Sequence, residues 1–418
     1  MPAPTSIPCG SKSAGGNGNG VDRLSSLSDD LLHHVMSFLP MPEVVRTSLL
    51  SPRWRFLWCS TPFIRIDGED FVDQCKLEKF GDRLLLLRDG AISLDEARIH
   101  AYRADSTTCS AWIRHAIMHK VRLLHISGFL RLDSTAMFPS RHLKIIRLQS
   151  VTLKHGLFRP LNYDCPVLEH LELELCSVCD HEEISSRSLK VLDISHCLII
   201  SSLLICARNL THLSILHPYA GAIVIRDLSS LVTALINLRS KSFHHMGTVM
   251  DHHLLDGLPH ATTLELHAPL HERAFEGGML TCPTFSNLTS LVLGDWVMTA
   301  DFYPLHRILQ LSDKLKELTL KLEMVLTEKY ICASTNWSAR TLTNTTTFVL
   351  IFCRRNAAHA KPCRQQGERR RRPQAATLAS RGSKSTAEKN IRGSMSWCRR
   401  CCPLPAMRRS ASSGPDPC

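Results

Sequence analysis

One apolar pattern constrains the fold of this chain more than any other feature. The motif L-x-x-L-x-L, with apolar replacements, recurs as Val121-Leu124-Ile126, Leu143-Ile146-Leu148, Leu168-Leu171-Leu173, Leu189-Leu192-Ile194, Leu210-Leu213-Ile215, Ala261-Leu264-Leu266, Leu288-Leu291-Leu293 and Leu315-Leu318-Leu320, with a weaker copy from Leu231 to Ile236. Measured between central positions, the first four steps are 22, 25, 21 and 21 residues and the last two are both 27. A period of about 20–29 residues belongs to units built from one short strand and a return segment. One unit cannot bury its own leucines, so copies must stack side by side into a continuous core.

Strand geometry then divides the side chains. Neighbouring residues on a strand point to opposite faces, so Leu171 and Leu173 are expected inside while His170, Glu172 and Glu174 face out. The same alternation places His125, Arg147, Gln149, Asp193, Ser195, His212, Ser214, Glu265, His267, Glu317, Thr319 and Lys321 on that outer, concave face. We expect this face to read a target, with Arg147, Gln149, His170, Glu172, Glu174, Asp193, His212, Glu265, His267, Glu317 and Lys321 as its contact residues.

Ahead of the repeats, residues 22–66 pack three short helical patterns and two tryptophans into about forty residues. Leu27, Leu31, Leu32, Val35, Phe38 and Leu39 recur at steps of three and four on a helix that Ser28 or Asp29 can cap. Pro40 and Pro42 stop it. Pro42 suits the start of a second helix carrying Val44, Val45, Leu49 and Leu50, and Ser51-Pro52 breaks the chain before a third with Trp54, Leu57 and Trp58. So small a unit cannot bury that much apolar area, and the excess marks a partner interface.

The run L-S-D-D-L-L-x-x-V-x-S-F-L-P, followed by V-V-R-T-S-L-L-S-x-R-W-R-x-L-W, resembles the F-box of the plant F-box/leucine-rich-repeat family from Leu24 to Trp58. One departure is Ser28, where the family usually has proline; a serine there can cap the helix directly. The resemblance implies an α+β chain: an N-terminal three-helix F-box, then an α/β leucine-rich-repeat solenoid, then a disordered basic C-terminal tail. It also implies a non-catalytic, substrate-recognition subunit of a Skp–cullin–F-box ubiquitin ligase. Leu27, Leu31, Leu32, Val35, Phe38, Leu39, Pro40, Val44, Val45, Leu49, Trp54 and Leu57 would contact a Skp-type adaptor protein. The cullin complex would follow, and the repeats would hold an unknown target protein. The alternatives are a non-ligase F-box scaffold and a truncated, inactive isoform.

The expected domains are a flexible leader over 1–20, the F-box over 21–66, linking helices and a first irregular repeat over 67–120, repeats over 121–330 and a mostly disordered tail over 331–418. The linking segment contains two helical patterns, FVDQCKLEKFGDRLLLLRDG and CSAWIRHAIMHK.

Charge location matters more than the net +12. Residues 331–418 hold 17 of the 50 Lys and Arg but only 3 of the 38 Asp and Glu, leaving 33 basic and 35 acidic residues before them. The repeat-bearing part therefore lacks an electrostatic footprint for nucleic acid, and a basic-tail nucleic-acid binder is the weakest alternative. The tail, with Arg369 to Arg372 and the Cys398, Cys401 and Cys402 cluster, reads as a nuclear signal, a zinc knuckle or a segment without an evolved role; we expect translation of an altered frame or a retained intron. No run of about eighteen apolar residues calls for a membrane. The first twenty residues lack the apolar core of a secretory signal, so the expected location is cytoplasm, nucleus or both. Seventeen scattered cysteines then read as reduced thiols.

No catalytic constellation, cofactor motif or metal set emerges. Cys176, Cys179 and His181 have zinc-like spacing but no second ligand pair. His115 and His119 lie one helical turn apart without the glutamate of a metalloprotease helix, and the glycines from Gly15 to Gly20 lack the flanking strand and lysine of a phosphate loop.

Overall fold

A computed structural model describes residues 22–325 apart from 103, 134–138, 155, 220, 239–253, 269–274, 276–281, 295–296 and 298–301, together with the backbone of a strand at Thr343–Ile351. The expected leader, and the expected tail apart from that strand, lie outside the described residues.

The N-terminal module has two α-helices, α1 (Asp29–Met36) and α2 (Met41–Arg46). The Ser28 hydroxyl accepts a hydrogen bond from the Leu31 N–H at 3.5 Å, and Asp29 and Asp30 occupy the first turn, where the helix dipole favours negative charge. Pro40 is the N-cap of α2, which tightens into a 3₁₀ turn over Thr47–Leu49. The expected third helix is only a series of turns and a 3₁₀ helix over Leu57–Ser60. Cross-links displace a helical ladder there. The Arg53 guanidinium donates to the Ser25 and Leu27 carbonyls and to Asp29, and the Trp54 indole N–H donates to Ser25 Oγ at 3.0 Å. These bonds hold the segment against the entry to α1.

Twelve strands form one sheet, in the order β1 (Phe63–Asp67), β2 (Glu96–His100), β3 (Leu123–Ser127), β5 (Ile145–Gln149), β7 (His170–Glu174), β10 (Val191–Ser195), β13 (His212–Leu216), β15 (Thr233–Asn237), β16 (Thr263–His267), β17 (Ser290–Leu293), β18 (Glu317–Val325) and β19 (Thr343–Ile351). All neighbours are parallel except β18 and β19. Each of the nine leucine motifs supplies one strand, from β3 to β18. Three strands lie outside that pattern. The alternating F-I-R-I-D and E-A-R-I-H sequences form β1 and β2, so the sheet begins at the end of the helical module and continues through the segment expected to link it to the repeats. The β-branched run T-N-T-T-T-F-V-L-I, placed in the tail by the sequence reading, pairs as β19.

Pairing is in register from strand to strand. Leu148, Leu173, Ile194, Ile215, Ile236 and Leu266 align in one row and are all buried. Two small parallel sheets belong to the return segments: β4 (Arg131–Leu132), β6 (Thr152–Leu153), β8 (Ser177–Val178) and β11 (Leu198–Ile199), then β9 (Glu182–Ile184), β12 (Ser202–Ile205) and β14 (Ala222–Ile225). Between the strand and these sheets the chain turns a sharp corner. Ser150, Leu175, His196 and His217 adopt φ near +50°, and each N–H donates to the last carbonyl of the next strand, at 2.9, 2.9, 2.8 and 2.7 Å. A left-handed non-glycine residue costs roughly 1–2 kcal/mol, which that lateral bond offsets.

Helices complete the core early in the array. α3 (Gln74–Leu87) and α4 (Ser106–Met118) begin at the N-caps Asp73 and Asp105, whose carboxylates accept the Lys76 and Thr107 N–H groups. They cross at Gly81, whose missing Cβ leaves room for the Trp112 ring, and the Trp112 N–H donates to Asp82 at 2.9 Å. The remaining described helices are α5 (Phe158–Tyr163) and α6 (Tyr303–Gln310). No described helix is long and apolar enough to cross a membrane.

Candidate functional site: an apolar helical surface and a charged sheet face

α1 carries apolar residues on two faces rather than one. Leu32 and Met36, one turn apart, are fully buried, while Leu31, Val35 and Phe38 are exposed. The twelve residues expected to contact an adaptor divide accordingly. Leu32, Val44, Trp54 and Leu57 lie in the module's core and offer no surface, a correction that follows from their packing against one another's elements. Leu27, Leu39 and Val45 are half-buried and pack against that core. Leu31, Val35, Phe38, Pro40 and Leu49 remain outside, with Leu49 85% exposed.

The structure adds two apolar residues that the sequence reading left out, Leu50 and Phe56, both more than half exposed. Phe56 had a legible signal. Trp54, Leu57 and Trp58 are buried, which leaves Phe56 between them on the opposite side. Six large apolar side chains, Leu31, Val35, Phe38, Leu49, Leu50 and Phe56, thus face solvent within 26 residues. Such a concentration on a small helical unit marks a place where a partner removes it from water. His33 ties α1 to the 3₁₀ helix: its Nε2 lies 3.1 Å from the Leu57 carbonyl and 3.2 Å from Ser60 Oγ.

The second surface is the open face of the sheet. All eleven expected contact residues lie on strands of this sheet, in three rows set by strand register, but His267 is buried and offers no open surface, a correction that follows from its packing against Glu265. Ile145, His170, Val191 and His212 share the first row, Arg147, Glu172 and Asp193 the second, and Gln149 and Glu174 the third. Most of its charges meet across strands instead of standing free. Arg147 lies 2.9 Å from Glu172, His170 2.9 Å from Asp193, and the Gln149 amide donates to Glu174 at 3.1 Å. Farther along, both His267 and Lys321 reach the same Glu265 oxygen at 2.7 Å. Burial works to raise the Glu265 pKa, but the Lys321 and His267 hydrogen bonds outweigh it and hold the carboxyl below the usual range.

β1 and β2 extend this face beyond the expected residues. Arg65 pairs with Glu96 at 3.2 Å, Arg98 with the same carboxylate, and His100 with Asp67 at 3.4 Å. His125 sits among them with its pKa lowered to about 4, first by burial, then by His100, Arg98 and Arg147, against a weaker pull from Glu96. It is a neutral imidazole at ordinary pH.

Cys176 belongs to the core rather than to a metal site: its thiol is buried and lies 3.3 Å from the Leu148 carbonyl, in position to donate to it. Cys197, its counterpart in the next repeat, has its pKa pushed up by its hydrogen bond with Cys176 and by burial. Among the described residues no three His, Cys, Asp or Glu side chains gather as metal ligands. His115 and His119 stack at 4.0 Å, and burial, followed by the charges of His119 and Arg88, lowers His115 to about 4.

Comparison with known proteins finds a matching domain family and named relatives. Residues 24–66 match the F-box domain family. Over 375 residues the chain is 28% identical to the F-box/FBD/LRR-repeat protein At5g22660 of Arabidopsis thaliana, covering 76% of this chain and 80% of that protein. It is 30% identical over 342 residues to the MEIOTIC F-BOX protein MOF of Oryza sativa subsp. japonica, covering 72% and 71%. It is 29% identical over 252 residues to the F-box/FBD/LRR-repeat protein At5g22700 of Arabidopsis thaliana, covering 51% and 58%. The chain thus spans somewhat over half the length of that last relative.

Proposed function

This chain belongs to the plant F-box/leucine-rich-repeat family, and from that membership we propose that it is the substrate-recognition subunit of a Skp–cullin–F-box ubiquitin ligase. The observation that carries the reading is the exposed apolar set Leu31, Val35, Phe38, Leu49, Leu50 and Phe56 on the module that matches the F-box. A Skp-type adaptor is the partner that covers it, with Pro40, Leu27, Leu39 and Val45 at its margin. Leu32, Val44, Trp54 and Leu57 act through folding, by holding the exposed residues in place.

In this reading the in-register strands form the solenoid of leucine-rich repeats, and their open, concave face holds a target protein. The chain itself is non-catalytic. It raises the effective concentration of target beside the conjugating enzyme, and transfer chemistry belongs to other subunits. Its place of action is the cytoplasm, the nucleus or both. On the concave face Arg147 pairs with Glu172 across strands, and His170 lies within hydrogen-bond distance of Asp193. Target selection therefore depends on where a partner's charges can replace these internal pairs.

Co-purification tests the reading. The full chain is expected to capture a Skp-type adaptor and, with it, cullin. Replacing Leu31, Val35 and Phe38 together by alanine should abolish capture without lowering the melting temperature. A clean failure of the unaltered chain to bind the adaptor overturns the ligase reading.

A further inference from the structure

A cleft of about 390 Å³ lies where α3 meets α2 and the 3₁₀ helix at Leu57–Ser60. Val45, Trp58, Phe80 and Leu87 contribute to its apolar lining, and every charged residue of the lining is basic: Lys76, Lys79 and Arg83. The spacing along α3 explains the grouping. Steps of three and four residues join Lys76, Lys79, Arg83 and Leu87 into one face of the helix, with Phe80 beside them.

α3 is divided by charge. Its two carboxylates turn toward α4, where Glu78 accepts the Asp105 N–H at 3.2 Å and Asp82 accepts the Trp112 N–H at 2.9 Å. Its three cations lie on the cleft side, and all three are exposed. Asp73, the N-cap, pairs with Lys76 at 3.4 Å and feels the charge of Lys79. Lys79 and Arg83 form no ion pair among the described residues, and every Asp and Glu before residue 250 is one of those residues. Like charges three and four residues apart on a helix repel, and an anion placed between them removes that cost.

We propose that this cleft docks an acidic segment of a partner protein, with an apolar side chain seated against Val45, Trp58 and Phe80 and carboxylates meeting Lys79, Arg83 and, in exchange with Asp73, Lys76. Charge decides the occupant. Residues 1–21 of this chain contain no Asp or Glu, and residues 331–418 hold 17 Lys and Arg against 3 Asp and Glu, so neither suits a basic cleft. A phosphate backbone would meet the cations and leave the apolar lining in water. Exposed ion pairs contribute little singly, so recognition comes from several carboxylates acting together and weakens as salt screens them. Val45 borders the surface assigned to the adaptor, but the inference does not rest on the ligase reading: Lys79 and Arg83 lie outside that surface, and binding is measured without adaptor.

Fluorescence anisotropy with the full chain and a labelled acidic peptide, leucine at its centre and Glu and Asp on both sides, tests it. The acidic peptide should bind roughly tenfold more tightly than its Gln/Asn analogue and than an acidic peptide with serine in place of leucine. Charge reversal by Lys79→Glu with Arg83→Glu should weaken binding roughly tenfold, whereas Lys316→Glu, at an exposed lysine on the repeats, should leave it unchanged. Lys79→Gln with Arg83→Gln, a milder change on the same helix face, should weaken it in the same direction and serves where charge reversal unfolds the chain by melting temperature or far-UV circular dichroism. The proposal is overturned if the acidic peptide does not bind or if its neutral analogue binds equally. Full affinity in the folded α3 variants would also overturn it, by placing the peptide on the basic residues after 331, as would equal binding of the serine peptide, which reduces the cleft to a site for anions of any kind.

Discussion

At the scale of single residues, two histidines set an acid limit on this fold. His125 and His115 are both lowered from 6.5 to about 4, chiefly by burial, with neighbouring cationic groups adding to it. A depressed histidine favours the neutral form in the folded state. Between pH 6.5 and 4 the unfolded chain takes up a proton that the folded chain refuses, so stability is complete above 6.5 and falls through that window. The melting temperature is expected to drop as pH falls from 7 to 4.5. His125→Gln should shrink the drop relative to the parent, and an unchanged pH profile for that variant would refute the account. Glu265, held low by Lys321 and His267, loses its contribution in the same acidic direction, which is why the test compares two profiles instead of reading one slope. Gly81 provides a second residue-scale test. A Cβ there would lie 2.5 Å from the Trp112 ring. Gly81→Ala should cost about 1–3 kcal/mol in urea unfolding as α3 and α4 are forced apart, with the denaturant slope unchanged.

Among elements, α1 shows how the same residue type takes opposite roles one position apart. Leu31 is half exposed and Leu32 fully buried. Leu32→Ala should lower stability by about 2–5 kcal/mol through an unfilled core, while Leu31→Ala should change stability little and weaken adaptor capture. Equal losses of stability would refute the two-faced helix. Spacing alone cannot separate these leucines, because an α-helix that is apolar around much of its circumference has no single hydrophobic stripe for periodicity to find. The strands behaved differently. A period of two with leucine at alternate positions places every second side chain inside, and each leucine motif of the repeats became a strand with its inward residues buried, Leu320 in the last copy only partly. β1 and β2 were less legible because Ile66, Ala97 and Ile99 carry the alternation without leucine and without the repeat spacing. The third helical pattern failed because the Arg53 and Trp54 hydrogen bonds to residues 25–29 compete with an intrahelical ladder.

For the whole molecule, the helical module and the sheet share a strand. Phe63–Asp67 closes the segment that matches the F-box and is also the edge strand of the twelve-stranded sheet. Unfolding the repeats should therefore expose Trp54 and Trp58 in the module as well. A variant retaining only these two tryptophans is expected to show coincident urea transitions by fluorescence and far-UV circular dichroism, and two separated transitions would refute the coupling. The amino-acid sequence by itself determined the two kinds of element, the stacked strands and the leading helices, because leucine spacing and proline breaks are local properties of the chain. It also placed the eleven expected residues on their strands, since strand alternation needs no knowledge of neighbours, but not the burial of His267. Only the tertiary structure decided which apolar residues of the leading helices form core and which form surface, and which face charges neutralise one another. Burial and ion pairing depend on what packs across from a residue, and those neighbours come from parts of the chain that no local pattern can identify.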